Sequence, residues 1–161
     1  GALIGMAAHL DGKGVSVLDM TGLAQKYGAV FSHLRIADRP EDIHAARIAT
    51  GEAHAVIGGD LIVSAGAEAL GKMREGRTRA VVSCAETPAA DFTRQRDWQF
   101  PQAGLKKRLR EILGDSAVDF IDAHRLSQHL NFTQATHAGH MTFAVDHCQT
   151  GRVIATVFQT T

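Results

Sequence analysis

Val15-Ser16-Val17-Leu18-Asp19-Met20-Thr21-Gly22-Leu23-Ala24-Gln25-Lys26-Tyr27-Gly28-Ala29-Val30-Phe31-Ser32-His33-Leu34-Arg35-Ile36-Ala37 is the stretch on which the fold turns. Val15 to Leu18 is short, apolar and rich in β-branched residues, as a strand requires. Asp19 to Gly28 is a polar connection. Ala29 to Ala37 is a second strand, in which Val30, Leu34 and Ile36 alternate imperfectly with Ser32 and Arg35. The two strands and their connection give the start of a βαβ-like rhythm.

The rhythm continues downstream. Pro40-Glu41-Asp42 has the composition of a helix start, leading into Ile43 to Ala49 with Gly51 as its stop. Ala53 to Ile57 reads as a buried strand. Asp60 is placed to cap a helix running through Ala65, Ala69 and Met73 to Gly76. Arg79 to Cys84 is a further strand, and Ala85 to Gly104 a long loop of the kind that serves function or an interface. Leu105 to Leu113 is a basic amphipathic helix, Val118 to Ile121 a strand, and Ala123 to Leu130 another helix. Gly151 to Gln159, rich in Val, Ile and Thr, closes as a strand. Strands separated by helical patterns predict an α/β fold: a single domain, 1–161, built as a three-layer α/β/α sandwich on a mostly parallel, or mixed, sheet.

Upstream, Ala2 to Leu10 is apolar all round and composed of good helix formers, which predicts a buried helix. It starts with no capping residue and no preceding turn, as a segment cut from a longer chain would.

Composition narrows the function classes. The 161 residues are 45% hydrophobic and 21% charged, enough apolar material for one domain of ~100–200 residues. Seventeen basic residues balance seventeen acidic ones, so no net field draws the chain to nucleic acid or anionic lipid. Two cysteines, Cys84 and Cys148, build neither a disulfide scaffold nor, with four thiolates normally needed, an iron–sulfur cluster. The apolar run Ala53 to Val63 falls short of the ~20 residues of a membrane span. No basic n-region precedes the apolar start, so it is not a secretory signal. The expected location is the cytoplasm, with no membrane partner.

Four groups of residues could carry chemistry. Gly58-Gly59-Asp60 follows a strand and is either a ligand-contacting turn or a structural turn needing positive φ; it lacks the spacing of a nucleotide fingerprint. His137, His140 and His147 could hold a metal if the chain folded back, in a stand-alone metal- or ligand-binding module, although His-x-x-His lacks the spacing of the common zinc hydrolases. Cys84 ends a strand, where α/β folds display reactive groups, yet a thiolate would need a nearby cation. Asp19, Thr21, Gln25, Lys26 and the Tyr27-Gly28 turn form a polar loop at a strand's carboxyl end, the usual place for ligands and partners in such sheets.

These same residues carry a resemblance. Leu18 to Lys26, then Gly28-Ala29-Val30 and Ser32 to Ala37, resemble the signature loop and strand of the gamma domain of 2-oxoacid:ferredoxin oxidoreductases, in particular the indolepyruvate type. Ala55 to Ser64, Asp91-Phe92-Thr93-Arg94 and Phe100-Pro101 are similar to further blocks in the same order, so that the likeness spans Gly1 to Leu126. The family's glycine-rich turn would precede Gly1. Tyr27 stands where the family has glycine, and residues 127–161 diverge.

The resemblance implies a component of a larger cytoplasmic enzyme that oxidatively decarboxylates an aryl 2-oxoacid to an acyl-CoA and reduces ferredoxin. Its partners would be the domains or subunits that carry thiamine diphosphate, Mg and [4Fe–4S] clusters, with CoA as co-substrate. The chain itself would hold no cofactor and would be inactive alone. Asp19, Thr21, Gln25, Lys26, Tyr27 and Gly28 would line the interdomain surface, Lys26 facing a diphosphate or carboxylate that Thr21 and Gln25 hydrogen-bond. A homo-oligomer is the remaining expectation, with Phe92, Trp98 and Phe100 as its anchor.

Overall fold

The structure, a computed structural model, describes residues 1–21, 29–84, 101–123 and 125, with only the backbone of 21, 29 and 153–159. Six strands form one sheet among these residues: β1 (Gly14–Thr21), β2 (Ala29–Ala37), β3 (Ala55–Gly58), β4 (Arg79–Ser83), β5 (Val118–Ile121) and β6 (Val153–Gln159). Their spatial order is β1-β2-β6-β3-β4-β5. With them go helices α1 (Ala2–Leu10), α2 (Leu61–Ser64), α3 (Ala67–Leu70) and α4 (Gln102–Leu113). The fold is α/β.

The sheet is mixed in two halves. β6, β3, β4 and β5 run parallel, whereas β1 pairs with β2 and β2 with β6 antiparallel. The βαβ rhythm expected over Val15 to Ala37 is therefore a hairpin. The reason lies in chain length: a parallel return needs a crossover of a dozen or more residues, and only residues 22–28 separate these strands. The last strand in sequence is not at an edge but in the middle of the sheet, where it joins the two halves.

Side-chain alternation divides the core between the two faces. Val56, Ala80, Val82 and Val118 join Leu61, Ala69, Leu109 and Leu113 in the larger buried cluster, so α2, α3 and α4 pack on that face. Leu34 and Ile57, one residue out of phase, join Ile4, Val15 and Ile36 in a second cluster on the α1 side. The expectation of a buried α1 is corrected here: Leu3, Met6 and Leu10 are 64%, 58% and 80% exposed. Only one face of that helix meets the sheet, through Ile4 and Gly5, and nothing among the described residues covers the other.

Three further departures concern where helices form, break and begin. The helix expected over Ile43 to Ala49 is absent beyond a 3-10 turn at Pro40–Asp42. Its amide and carbonyl groups pair with β2 instead: the Ile48 N–H donates to His33 Nδ1 at 3.2 Å, and the Arg47 carbonyl accepts from Arg35 at 3.0 Å. Gly51, with φ of +67°, then turns the chain back toward β3. The helix expected from Asp60 to Gly76 is two short ones, interrupted at Gly66, whose extended backbone starts α3. α4 begins at Gln102, so the long loop ends earlier than Gly104, and its residues 85–100 lie outside the described residues. The helix expected over Ala123 to Leu130 lies almost wholly outside them as well.

Candidate functional site

The register brings several of the candidate segments to one edge. Asp19 pairs with Ser32, Ser32 with Thr156, Thr156 with Ile57, Ile57 with Val81 and Val81 with Asp119, which draws a line straight across all six strands. Beyond this line, β1 runs out through Thr21 into the 22–28 connection, β3 into Gly59-Asp60, β4 into Cys84, and β5 into Asp122. Because β1 is antiparallel to β2, and β2 to β6, β1 points the same way as the parallel strands. All these segments thus leave from the carboxyl edge of the sheet, where α/β folds bind their ligands.

Of the loop residues, Asp19 is placed with its side chain and Thr21 by its backbone; Gln25, Lys26, Tyr27 and Gly28 lie outside the described residues. Asp19 is exposed, and its Oδ1 accepts from Ser32 Oγ on the neighbouring strand at 2.5 Å. That contact follows from the cross-strand pairing of two short polar side chains on one face.

Gly58-Gly59-Asp60 is built more tightly. Asp60 caps α2, its Oδ1 accepting from the Val63 N–H at 2.9 Å, while Ser64 Oγ donates to the Asp60 carbonyl at 2.5 Å. Gly58 is not at positive φ, which corrects the expected structural reason for it. A Cβ there would run into the Ser64 hydroxyl and come within 3.2 Å of Val82 Cγ1. Glycine is required by close approach of helix to strand, rather than by turn conformation. Asp60 is 1% exposed, and its Oδ2 has no hydrogen-bond partner among the described residues. Burial pushes its carboxyl above the ordinary aspartate range, against the opposing pull of the Val63 and Ile62 amides.

Cys84 is not poised as a nucleophile. Its Sγ donates to the Ile121 carbonyl at 3.2 Å, and its own carbonyl accepts from Gln102 Nε2 at 3.3 Å, tying β4, β5 and α4 together. No group of three or more His, Cys, Asp or Glu side chains suited to a metal ion occurs among the described residues; His137, His140 and His147 lie outside them. No helix among the described residues is long and apolar enough to cross a membrane.

A polar cluster with no motif in the sequence lies on the larger-core face. His33 is 2% exposed and its Nδ1 accepts from Ile48 N–H. Arg35, two residues on and on the same face, donates to the Arg47 carbonyl and to Glu52 Oε2 at 3.1 Å. Arg47 in turn reaches Glu68 of α3 at 3.5 Å. Burial holds the His33 imidazole below its ordinary pKa; the charges of Lys72, Arg47 and Arg35 add to this and Glu68 opposes it. The only sequence signal was the imperfect alternation of the β2 strand, with polar residues at both inward and outward positions.

Comparison with protein-family models, with curated proteins and with solved structures finds no match to this chain.

Proposed function

We propose that the chain is the gamma-type component of a cytoplasmic 2-oxoacid:ferredoxin oxidoreductase of the indolepyruvate type, its helices completing a three-layer α/β/α sandwich. In that reaction the bond between the oxo carbon and the carboxylate breaks and CO2 leaves. The remaining acyl group is oxidised by two electrons and joined to the thiol of CoA, and the electrons pass to ferredoxin.

One observation carries the reading. The signature-like loop after β1 and the Gly58-Gly59-Asp60 turn after β3 leave the same edge of the sheet. A partner domain set against that edge would meet both at once. Asp19, Thr21, Gln25, Lys26, Tyr27 and Gly28 would then face the partner's thiamine diphosphate region, and Lys26 would supply charge toward a diphosphate or carboxylate. The iron–sulfur clusters belong to that partner, since this chain has two cysteines and one cluster takes four thiolates.

The test is the assembled enzyme with Lys26→Ala. The expected result is a raised KM for the 2-oxoacid or for CoA with assembly intact. Unchanged kinetics for both would remove Lys26 from the site.

A further inference from the structure

Segment 43–53 crosses the face of β2 without regular structure, yet Ile48 at its centre is fully buried. Two side chains of β2 hold it there: His33 through the Ile48 amide, and Arg35 through the Arg47 carbonyl and Glu52. The first part of the same stretch, with Pro40, Ile43 and His44, faces Val15 and Ser16 of β1 across a shallow groove of about 280 Å³.

The His33 contact works in one protonation state only. Because Nδ1 accepts from the Ile48 N–H, the imidazole is neutral with its proton on Nε2. A second proton on Nδ1 would set two donors against each other. It would also place a cation among Lys72, Arg47 and Arg35, with Glu68 the one carboxylate among the described residues to oppose them. On the strands to either side, the residues opposite His33 are the uncharged Leu18 of β1 and Ala155 of β6. Glu52 is engaged with Arg35.

We propose that His33 is a proton-operated latch, which in its neutral form fastens segment 43–53 to the sheet and in its doubly protonated form lets that segment lift away from the groove. The open form takes up its proton near the ordinary histidine value, about 6.5. The closed form resists the proton, because its imidazole is buried among cations. Closure is therefore complete above that value and is lost as the pH falls below it.

Amide hydrogen exchange of Ile48 in the whole chain tests this, with each rate divided by the unstructured-peptide rate at the same pH. Protection is expected to fall by up to about tenfold per pH unit below about 6.5. His33→Gln, which keeps an acceptor but cannot titrate, should flatten the profile, whereas His44→Gln, altering the exposed histidine on the same segment, should leave it intact. Equal protection at pH 7.5 and 5.5, or a fall that persists in His33→Gln, would overturn the proposal. Should His33→Gln fail to fold, the ring-carbon titration of His33 in the wild-type chain decides. A midpoint coinciding with the loss of Ile48 protection supports the latch, and a separate one overturns it.

Discussion

Gly58 and Asp60 are the residues where local chemistry most constrains the site. A methyl group at Gly58 meets a hydroxyl that is itself held by the Asp60 carbonyl, so the neighbour has little room to yield. Gly58→Ala should lower stability by about 1–3 kcal/mol, the range for overpacking. Adding Ser64→Ala should recover part of that loss, and chemical denaturation of the three proteins would show it. Asp60→Ala loses the cap on α2 and should cost about 0.5–2 kcal/mol. Asp60→Asn retains an acceptor and removes the buried charge. Since the folded carboxyl titrates above its unfolded value, the wild-type chain loses stability as the pH rises from about 3.9 through the folded pKa. Asp60→Asn should therefore be at least as stable as wild type at pH 7, with that advantage shrinking toward pH 3 as the wild-type carboxyl takes up its proton. A denaturation series in which the Asn variant's advantage instead grew toward low pH would contradict the assignment. The role of Asp60 as a cap is legible from Asp60 standing before an apolar run. The reason for Gly58 is not, because it depends on a serine six residues away.

At the level of elements, short-range pattern is a good guide where neighbours agree with it and a poor one where a distant residue competes. β2 and β5 have the limits their sequences suggest, since apolar alternation and strand pairing ask for the same thing. Segment 43–49 has helical composition, but His33 and Arg35 claim its backbone groups, and no local pattern reveals an acceptor fifteen residues upstream. α4 shows the reverse case. Its basic residues, suggestive of a solvated face, use Lys106 and Arg110 to flank the ring of Phe120 at 5.4 and 5.2 Å from its centroid. Phe120→Leu should cost about 0.5–1 kcal/mol beyond its lost area, the scale of an exposed cation–π contact, measurable by thermal unfolding. β6 is the strand that joins the two halves, antiparallel to β2 on one side and parallel to β3 on the other. A proline at a doubly paired position removes a ladder donor and breaks the register. Ala155→Pro should abolish cooperative unfolding, and a variant that still melts in one sharp transition would show that the two halves of the sheet do not depend on this strand.

Across the whole molecule, the chain order predicts an α/β fold but not which strand closes the sheet. Insertion of the last strand between the second and third is a long-range pairing that leaves no local trace in Val153 to Gln159. By joining an antiparallel hairpin to a parallel half-sheet, β6 sets the end of β1 at the same edge as those of β3, β4 and β5. Thr21 at the end of β1 and Gly58 at the end of β3 thereby reach the same edge of the sheet. The most direct test is reconstitution of the thiamine- and iron–sulfur-bearing part of such an enzyme, with and without this chain, following indolepyruvate- and CoA-dependent reduction of ferredoxin. Activity is expected only when the chain is present. Failure of the folded chain to bind the partner or change its rate would contradict it.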